Sequence, residues 1–240
     1  MDLPNVPGVK GATIQLANGH YFDYTRPGDS LIDIESIAHA LSNLCRFTGH
    51  CRAFYSVAQH CVLMSQIVPA IDQLYALLHE ASEPVVADLN KPLKMLLREY
   101  DAIEGEAQRA ILAQFGLDPD MRPASIKPAD WTLLATEQRD LMPTRRAVRW
   151  GALGFAVEWE HLPLHEWSFT AGVTPLADSI EPWTPEVAKA AFLERFRILV
   201  AGALPNRSQS SAQFDRPPRF DFSKVSLQVA GALSGISEYA

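Results

Sequence analysis

Six residues stand out among the side chains that could bind metal ions or transfer protons. Two are imidazoles and four are carboxylates: His60, His79, Glu80, Glu83, Asp88 and Asp130. Imidazole nitrogen and carboxylate oxygen are ligands that Mn, Fe, Co, Ni and Zn accept. His79 and Glu80 differ by about 100° around a helix, so both can approach one ion beyond the helix end, with His60 opposite. Glu83 and Asp88 then remain as candidate proton donors and acceptors.

The three cysteines do not extend this ligand set. Cys45, Cys51 and Cys61 are odd in number and form no CxxC pair, so the sequence predicts neither a disulfide framework nor a thiolate zinc site. Small buried side chains are the better interpretation. Any metal chemistry in this chain therefore depends on histidines and carboxylates.

The apolar spacing predicts that helices position these residues. Periods of three and four residues indicate a helix behind Asp33 that extends to Cys45, a helix capped by Ser56, and a further run after Pro69 that includes Ile71. Later helices are predicted at Pro92, over 99–115 with Gly116 as the stop, over 125–141, and from Thr184-Pro185 to about Val200. The fold class is therefore all-α.

Two other regions have different patterns. The Asn18-Gly19 pair within residues 12–24 predicts one small N-terminal β-hairpin. Residues 143–183 are interrupted by proline, glycine and tryptophan and are predicted to be irregular. We divide the chain into a domain over 1–205 and a linker-like or disordered tail over 206–240, in which the alternation of Val225, Leu227 and Val229 leaves one docked strand open.

Charge and hydropathy exclude several classes of function. The 240 residues carry 21 Lys and Arg against 28 Asp and Glu, a net charge of −7, which argues against a nucleic-acid polymer or an anionic membrane as partner. No segment has the length of a membrane span, and the N-terminus has no basic start or apolar core of a signal peptide. We therefore expect a cytoplasmic protein.

Several segments together resemble a known family. His60, the segment HEASEPVVADLNKPLK at 79–94 and KPAD at 127–130 resemble the H…HD…D phosphohydrolase superfamily, and specifically its bacterial and phage 5'-deoxynucleotidase-like branch. The segments RFTGHCRAFYSVAQH at 46–60 and ADWTLLATEQRDLM at 129–142 are similar to the same branch. The resemblance implies an HD-domain helical bundle and a metal-dependent enzyme of the 5'-deoxynucleotidase or deoxynucleoside triphosphate triphosphohydrolase type.

The resemblance also implies a role for each site residue. One divalent ion would be held by His60, His79, the residue at position 80 and Asp130, and would activate a water that attacks phosphorus. Glu83 and Asp88 fall where the branch keeps its water-orienting base and its leaving-group acid. The candidates for binding the nucleotide substrate are Arg46 and Lys94 at the phosphate, with His50, Arg52 and Tyr55 in the loop before the first metal helix.

One departure from the family pattern leaves a second interpretation open. The family has Asp at position 80 of its doublet, and this chain has Glu80, whose carboxylate reaches about 1.5 Å further. The alternative is therefore a catalytically impaired HD-fold protein that binds nucleotides or regulates. Glu137, Arg139 and Asp140 are interpreted as structural ion pairs, with Asp140 as the metal ligand should Asp130 not be one. Homo-oligomerisation is left open.

Overall fold

The computed structural model describes residues 11–143, 146–150, 156–161 and 167–203. This part of the chain is mostly helical, as predicted, and also contains two separate two-stranded antiparallel sheets. The helices are α1 (Ile34–Asn43), α2 (Val57–Ile67), α3 (Gln73–Leu78), α4 (Glu83–Val86), α5 (Lys91–Lys94), α6 (Arg98–Gln114), α7 (Ile126–Leu141) and α8 (Pro185–Ala203). Three 3-10 segments lie at Pro27–Asp29, Arg46–Gly49 and Ala70–Asp72.

The predicted N-terminal hairpin is confirmed. Strand β1 (Thr13–Gln15) pairs antiparallel with β2 (Tyr21–Asp23) on either side of the Asn18-Gly19 turn. Gly19 has a φ of +85°, a left-handed conformation that glycine adopts at no steric cost. Phe22 on β2 is fully buried, so the hairpin is packed on the helical core.

Helix α2 lies at the centre of the bundle. The Ser56 side chain caps it by accepting a hydrogen bond from the Gln59 N–H at 3.2 Å. The helix packs against α1, α3, α7 and α8, and most of its residues are buried. His60, in the first turn of α2, is therefore fixed on all sides by packed elements.

Helix α3 is shorter than the sequence predicts. The 3-10 segment Ala70–Asp72 precedes it, and Ile71 is 92% exposed, so the expectation that Ile71 lies on the buried face is wrong. A 3-10 helix has about 3.0 residues per turn rather than 3.6. The side chains in such a segment therefore point in other directions than an α-helical period predicts. The helix ends at Leu78, so His79 and Glu80 lie directly after its last turn.

A strained turn links α4 to α5. Ala87 has φ 68° and ψ 159°, a region that is populated essentially by glycine. The Tyr100 hydroxyl donates to the Ala87 carbonyl at 2.8 Å, and the Tyr24 hydroxyl donates to the Val85 carbonyl. Two tyrosine side chains thus hold the backbone that leads into Asp88.

Helices α6 and α7 have the predicted extents. Helix α6 ends at Gln114, and Gly116 follows with a φ of +72°. Helix α7 covers Ile126–Leu141, within one residue of the prediction for 125–141. Helix α6 carries Tyr100, and α7 carries Asp130.

The prediction that residues 143–183 are irregular is wrong for two segments. Strand β3 (Arg146–Trp150) pairs antiparallel with β4 (Ala156–His161), with Val148 opposite Trp159 and a register shift near Trp150. The β4 sequence AVEWEH alternates apolar and charged residues, which is the period expected of a strand. The proline and glycine residues around it hid this signal.

The segment 167–183 is fastened to α7 by polar side chains. The Arg139 guanidinium donates to the Leu176 carbonyl at 2.7 Å, and the Asp140 carboxylate accepts from the Ile180 N–H at 2.9 Å. Arg139 and Asp140 also form an ion pair with each other at 2.7 Å. The structural interpretation of these two residues is confirmed.

The last helix begins as predicted. Helix α8 starts at Pro185, and the Thr184 carbonyl accepts from the Ala188 N–H at 2.9 Å. The predicted tail over 206–240, including the Val225 to Val229 alternation, lies outside the described residues. Within the described ranges, none of the helices combines the length and the apolar character that crossing a membrane requires.

Candidate metal centre

Three of the four predicted metal ligands converge in the structure. His60 comes from α2, His79 follows α3 and Asp130 belongs to α7. His60 Nε2 lies 3.3 Å from His79 Nε2 and 3.6 Å from Asp130 Oδ1. Among the described residues, one donor atom from each of these three side chains lies within 4.8 Å of the other two. The group offers two nitrogens and one oxygen to a single point.

The second nitrogen of each imidazole is engaged away from that point. His79 Nδ1 lies 2.6 Å from the Ala76 carbonyl, and His60 Nδ1 lies 2.7 Å from Glu137 Oε1. A carbonyl and an ionised carboxylate accept hydrogen bonds only, so each ring carries its proton on Nδ1. With no second proton, a ring in this orientation directs its Nε2 lone pair toward the other ring.

This arrangement fits a cation. The two Nε2 atoms lie 3.3 Å apart, so a cation between them can accept a lone pair from each ring. For metal–nitrogen distances of about 2.0–2.1 Å, two ligands at a tetrahedral angle lie about 3.3–3.4 Å apart. Burial lowers the pKa of His79, which favours the neutral ring that metal binding needs.

Glu80 lies just outside the group of three. Its Oε1 is 3.4 Å from His79 Nε2, and about a quarter of its side chain is exposed. Burial would raise the pKa of Glu80, but the nearby His79 and Lys94 lower it, so the carboxylate stays ionised. The role of Glu80 as a fourth ligand stays a prediction.

Two further carboxyl groups surround the site without belonging to the group of three. Glu83 is 2% exposed, and its Oε2 atom has no hydrogen-bond partner among the residues that the structure describes. Burial, reinforced by the charges of Glu80 and Asp88, raises the pKa of Glu83 well above its usual range. Burial also raises the pKa of Asp88, against the opposing effect of Arg46. Both carboxyl groups therefore hold a proton more readily than an exposed carboxyl does.

The two predicted phosphate-binding cations are already paired with acids. Arg46 is 8% exposed, and its Nη2 donates to Glu137 Oε2 at 3.0 Å. Lys94 Nζ donates to Glu104 Oε1 at 2.6 Å. Although burial opposes it, Glu104 and Glu80 raise the pKa of Lys94. Both cations remain charged and lie beside the carboxylates of the site.

The other three predicted substrate residues are in different environments. His50 is exposed at the end of the 3-10 segment. Arg52 is also exposed, and its guanidinium donates a hydrogen bond to the Asp140 carbonyl. Tyr55 is fully buried. A fully buried ring offers no surface to a ligand, which supports the packing role for Tyr55.

Glu137 is the residue of the site that the sequence analysis assigned to structural ion pairs alone. It is fully buried, and although burial would raise its pKa, Arg46 and then His60 lower it to about 2. One signal in the sequence points to it: Glu137 follows Asp130 by seven residues, so both lie on the same face of α7 two turns apart. Asp140, ten residues after Asp130, lies on another face and is bound to Arg139.

Among the described residues, the group of possible metal ligands contains none of the three cysteines. All are free thiols, and Cys61 is buried. Burial raises the pKa of Cys51 to about 12 and that of Cys61 well above its usual range. Because the thiolate is the reactive form, burial lowers the reactivity of Cys51 and Cys61.

Comparison with known proteins identifies relatives of the chain. It is 44% identical over 128 residues to the uncharacterized protein YfdR of Escherichia coli (strain K12), covering 53% of this chain and 71% of YfdR. It is 34% identical over 131 residues to the uncharacterized protein RCAP_rcc00048 of Rhodobacter capsulatus, covering 50% of this chain and 66% of that protein. No family model matches the chain. The chain belongs to the same family as YfdR.

Proposed function

We propose that this protein is a metal-dependent phosphohydrolase with an HD-type helical bundle, which cleaves the 5' phosphate ester or anhydride of (deoxy)nucleotides. The observation that carries the proposal is the approach of His60 Nε2 and His79 Nε2 to 3.3 Å, with Asp130 Oδ1 at 3.6 Å from the first. The placement of these ligands, on a central helix, after the next helix and on a later helix, supports the HD-type assignment.

The donor set fits one divalent ion of the group Mn, Fe, Co, Ni or Zn. His60, His79 and Asp130 would hold it, and Glu80 is the nearest further carboxylate. A bound divalent ion lowers the pKa of a coordinated water and so supplies a nucleophile at neutral pH.

The remaining residues have complementary tasks in this proposal. Glu83, buried and without a partner at Oε2, orients the attacking water and takes up its proton. Asp88, whose pKa is raised by burial, gives a proton to the leaving oxygen of the nucleoside. Arg46 and Lys94 hold the phosphate oxygens, for which a guanidinium and an ammonium are suited.

One experiment tests the ion and the reaction together. Purified protein is dialysed against a chelator, loaded with Mn²⁺ or Co²⁺, and assayed with a panel of deoxynucleoside 5'-monophosphates and triphosphates. We expect phosphate or triphosphate release that depends on the metal, and we expect His79→Ala to lose both the metal and the activity, because two remaining donors hold an ion poorly. The control is His39→Ala, since His39 is exposed on α1 and outside the group. Equal metal content in His79→Ala and the parent would contradict the ligand assignment.

A second candidate function is a nucleotide-binding or regulatory protein without catalysis. The observation that favours it is the position of Glu80, which stands where the HD phosphohydrolases that the sequence resembles have Asp, and which lies outside the group of three. Parent protein that binds metal and nucleotide but releases no phosphate would support this candidate. Glu80→Asp, which shortens the side chain and keeps its charge, separates the two cases. If the protein is an enzyme, we expect Glu80→Asp to preserve or raise hydrolysis. Inactivity of both the parent and Glu80→Asp would favour the binding protein.

A further inference from the structure

A single buried carboxylate, that of Glu137, contacts both His60 of the proposed metal site and Arg46, the proposed phosphate-binding residue. We propose that Glu137 is a positioning residue that orients His60 for metal binding and, through its other oxygen, fixes Arg46 beside the ion. The inference rests on the proposed metal site and adds to it a residue that touches neither the ion nor the substrate.

The two carboxylate oxygens of Glu137 serve different partners. Oε1 lies 2.7 Å from His60 Nδ1, and Oε2 lies 3.0 Å from Arg46 Nη2. The side chains of His60 and Glu137 have no exposed surface, and that of Arg46 is 10% exposed. Water therefore cannot replace either bond, and this one carboxylate restrains the orientation of both the imidazole and the guanidinium.

The bond to His60 has a chemical consequence at the opposite side of the ring. An ionised carboxylate on Nδ1 keeps the proton there and leaves the Nε2 lone pair for the ion. It also fixes the plane of the ring and makes the imidazole a better donor, which is why carboxylates behind metal-bound histidines change metal affinity by about 10- to 100-fold.

Helix α7 supplies both a ligand and this support. Asp130 and Glu137 lie two turns apart on one face of α7. The same rigid element thus places a carboxylate oxygen at the ion and a second carboxylate behind the His60 ring, so the relative position of two ligands depends on one helix.

A purely structural ion pair would give a different result on substitution. Glu137→Gln keeps the size of the side chain but replaces two acceptor oxygens by one, so that either His60 or Arg46 loses its acceptor. If the role is positioning, affinity for the metal falls even where the fold is retained. If the role is structural only, stability falls and the folded fraction binds metal as before.

The test measures binding of Co²⁺ alone, by absorbance titration of the chelator-treated protein. We expect Glu137→Gln to weaken Co²⁺ binding by about 10- to 100-fold while the far-UV circular dichroism stays native. The matched control is Asp140→Asn, a carboxylate-to-amide change on the same helix at the fastening of 167–183, which we expect to lower the melting temperature and leave Co²⁺ affinity unchanged. Glu137→Asp should restore part of the affinity.

A measurement on the parent protein keeps the inference testable should Glu137→Gln not fold. Long-range ¹H–¹⁵N correlation of the His60 ring in the metal-free parent should show the proton on Nδ1. A proton on Nε2, or equal Co²⁺ affinity in folded Glu137→Gln and parent, overturns the positioning role while the metal site stands. Failure of the parent itself to bind Co²⁺, Mn²⁺ or Zn²⁺ overturns the proposed function and this inference with it.

Discussion

Arg46 and Arg195 are both 8% exposed, but the protein compensates their charges in different ways. Arg46 is paired with the carboxylate of Glu137 at 3.0 Å. The hydrogen bonds of Arg195 go to uncharged oxygens, the Ser65 hydroxyl, the Ser65 carbonyl and the Gln73 side chain, each at 2.9 Å. Burial lowers the pKa of Arg195, whereas Glu137 raises that of Arg46 in spite of burial.

We call Arg46, Glu137 and His60 the Arg46 cluster, and Arg195, Ser65 and Gln73 the Arg195 cluster. The two clusters contact different faces of α2. His60 and Ser65 are five residues apart and therefore differ by about 140° around the helix. The Arg195 cluster joins α8 to α2 and α3 through neutral acceptors, which is sufficient for a cross-link between helices. The Arg46 cluster places a full ion pair behind His60, one of the three residues that could hold a metal ion. Because buried ion pairs contribute little net stability, we infer that orientation of the site, not stability, accounts for it.

The largest effect on the reaction is expected at Glu83, beside the Arg46 cluster. Glu83→Gln removes a group that can exchange a proton, so turnover should fall by about 10²- to 10⁴-fold, with metal content and melting temperature near parental values. Steady-state kinetics with the best nucleotide and metal analysis measure this. Glu106→Gln, at an exposed position of α6, is the control. Parental turnover in Glu83→Gln would show that Glu83, like Arg195, has a structural role only.

The largest effect on stability is expected from breaking the compensated pair. Arg46→Met leaves the Glu137 carboxylate buried without its guanidinium, and removal of one partner of a buried ion pair costs about 3–5 kcal/mol. Urea denaturation of the metal-free protein measures the free energy of unfolding. The double variant Arg46→Met with Glu137→Gln should regain much of the loss, and a double variant as unstable as Arg46→Met alone would contradict the pairing.

The sequence alone predicts most of the helices because their signals are local. Asp33 and Ser56 cap the helices that follow them, and Pro185 begins α8 as expected for the first turn. The capping and proline signals depend on neighbours within a few residues along the chain. The ligand set of His60, His79 and Asp130 is instead implied by the resemblance to the HD phosphohydrolases.

The features that the sequence analysis missed depend on contacts between distant residues. The partner of Glu137 is His60, 77 positions away, and only the packing of α7 on α2 brings them together. Pairing of β3 with β4 likewise needs a register between two strands, and Gly151 and Gly154 in the sequence between them indicated a loop. Ile71 was misplaced because a 3-10 turn changes the periodicity on which the facing of a residue is judged.

A smaller loss of stability is expected from Arg195. Arg195→Met removes three hydrogen bonds and leaves the Gln73 oxygen and the Ser65 carbonyl without this donor, at a cost of about 1–3 kcal/mol, partly offset because no charge remains to be buried. Metal affinity should not change. Urea denaturation and Co²⁺ titration measure the two quantities, and a loss larger than that of Arg46→Met would reverse the contrast between the two clusters.

The smallest effect is expected at Ala87, where one turn of backbone affects both the stability of the fold and the placement of Asp88. Its backbone lies in a region that costs a non-glycine residue about 1–3 kcal/mol, so Ala87→Gly removes strain, while the added freedom of glycine in the unfolded chain takes back about 0.5–1 kcal/mol. We expect a net gain of about 1 kcal/mol in the free energy of unfolding and a fall in turnover of less than tenfold, because Asp88 is held less firmly.

The Tyr100 hydroxyl that bonds the Ala87 carbonyl at 2.8 Å provides the matched variant. Tyr100→Phe should lower turnover in the same way but reduce stability, since it removes a restraint and keeps the strain. Opposite changes in stability with parallel changes in turnover would show that the strained turn is maintained for the placement of Asp88. A loss of stability in Ala87→Gly would contradict the strain assigned to this backbone.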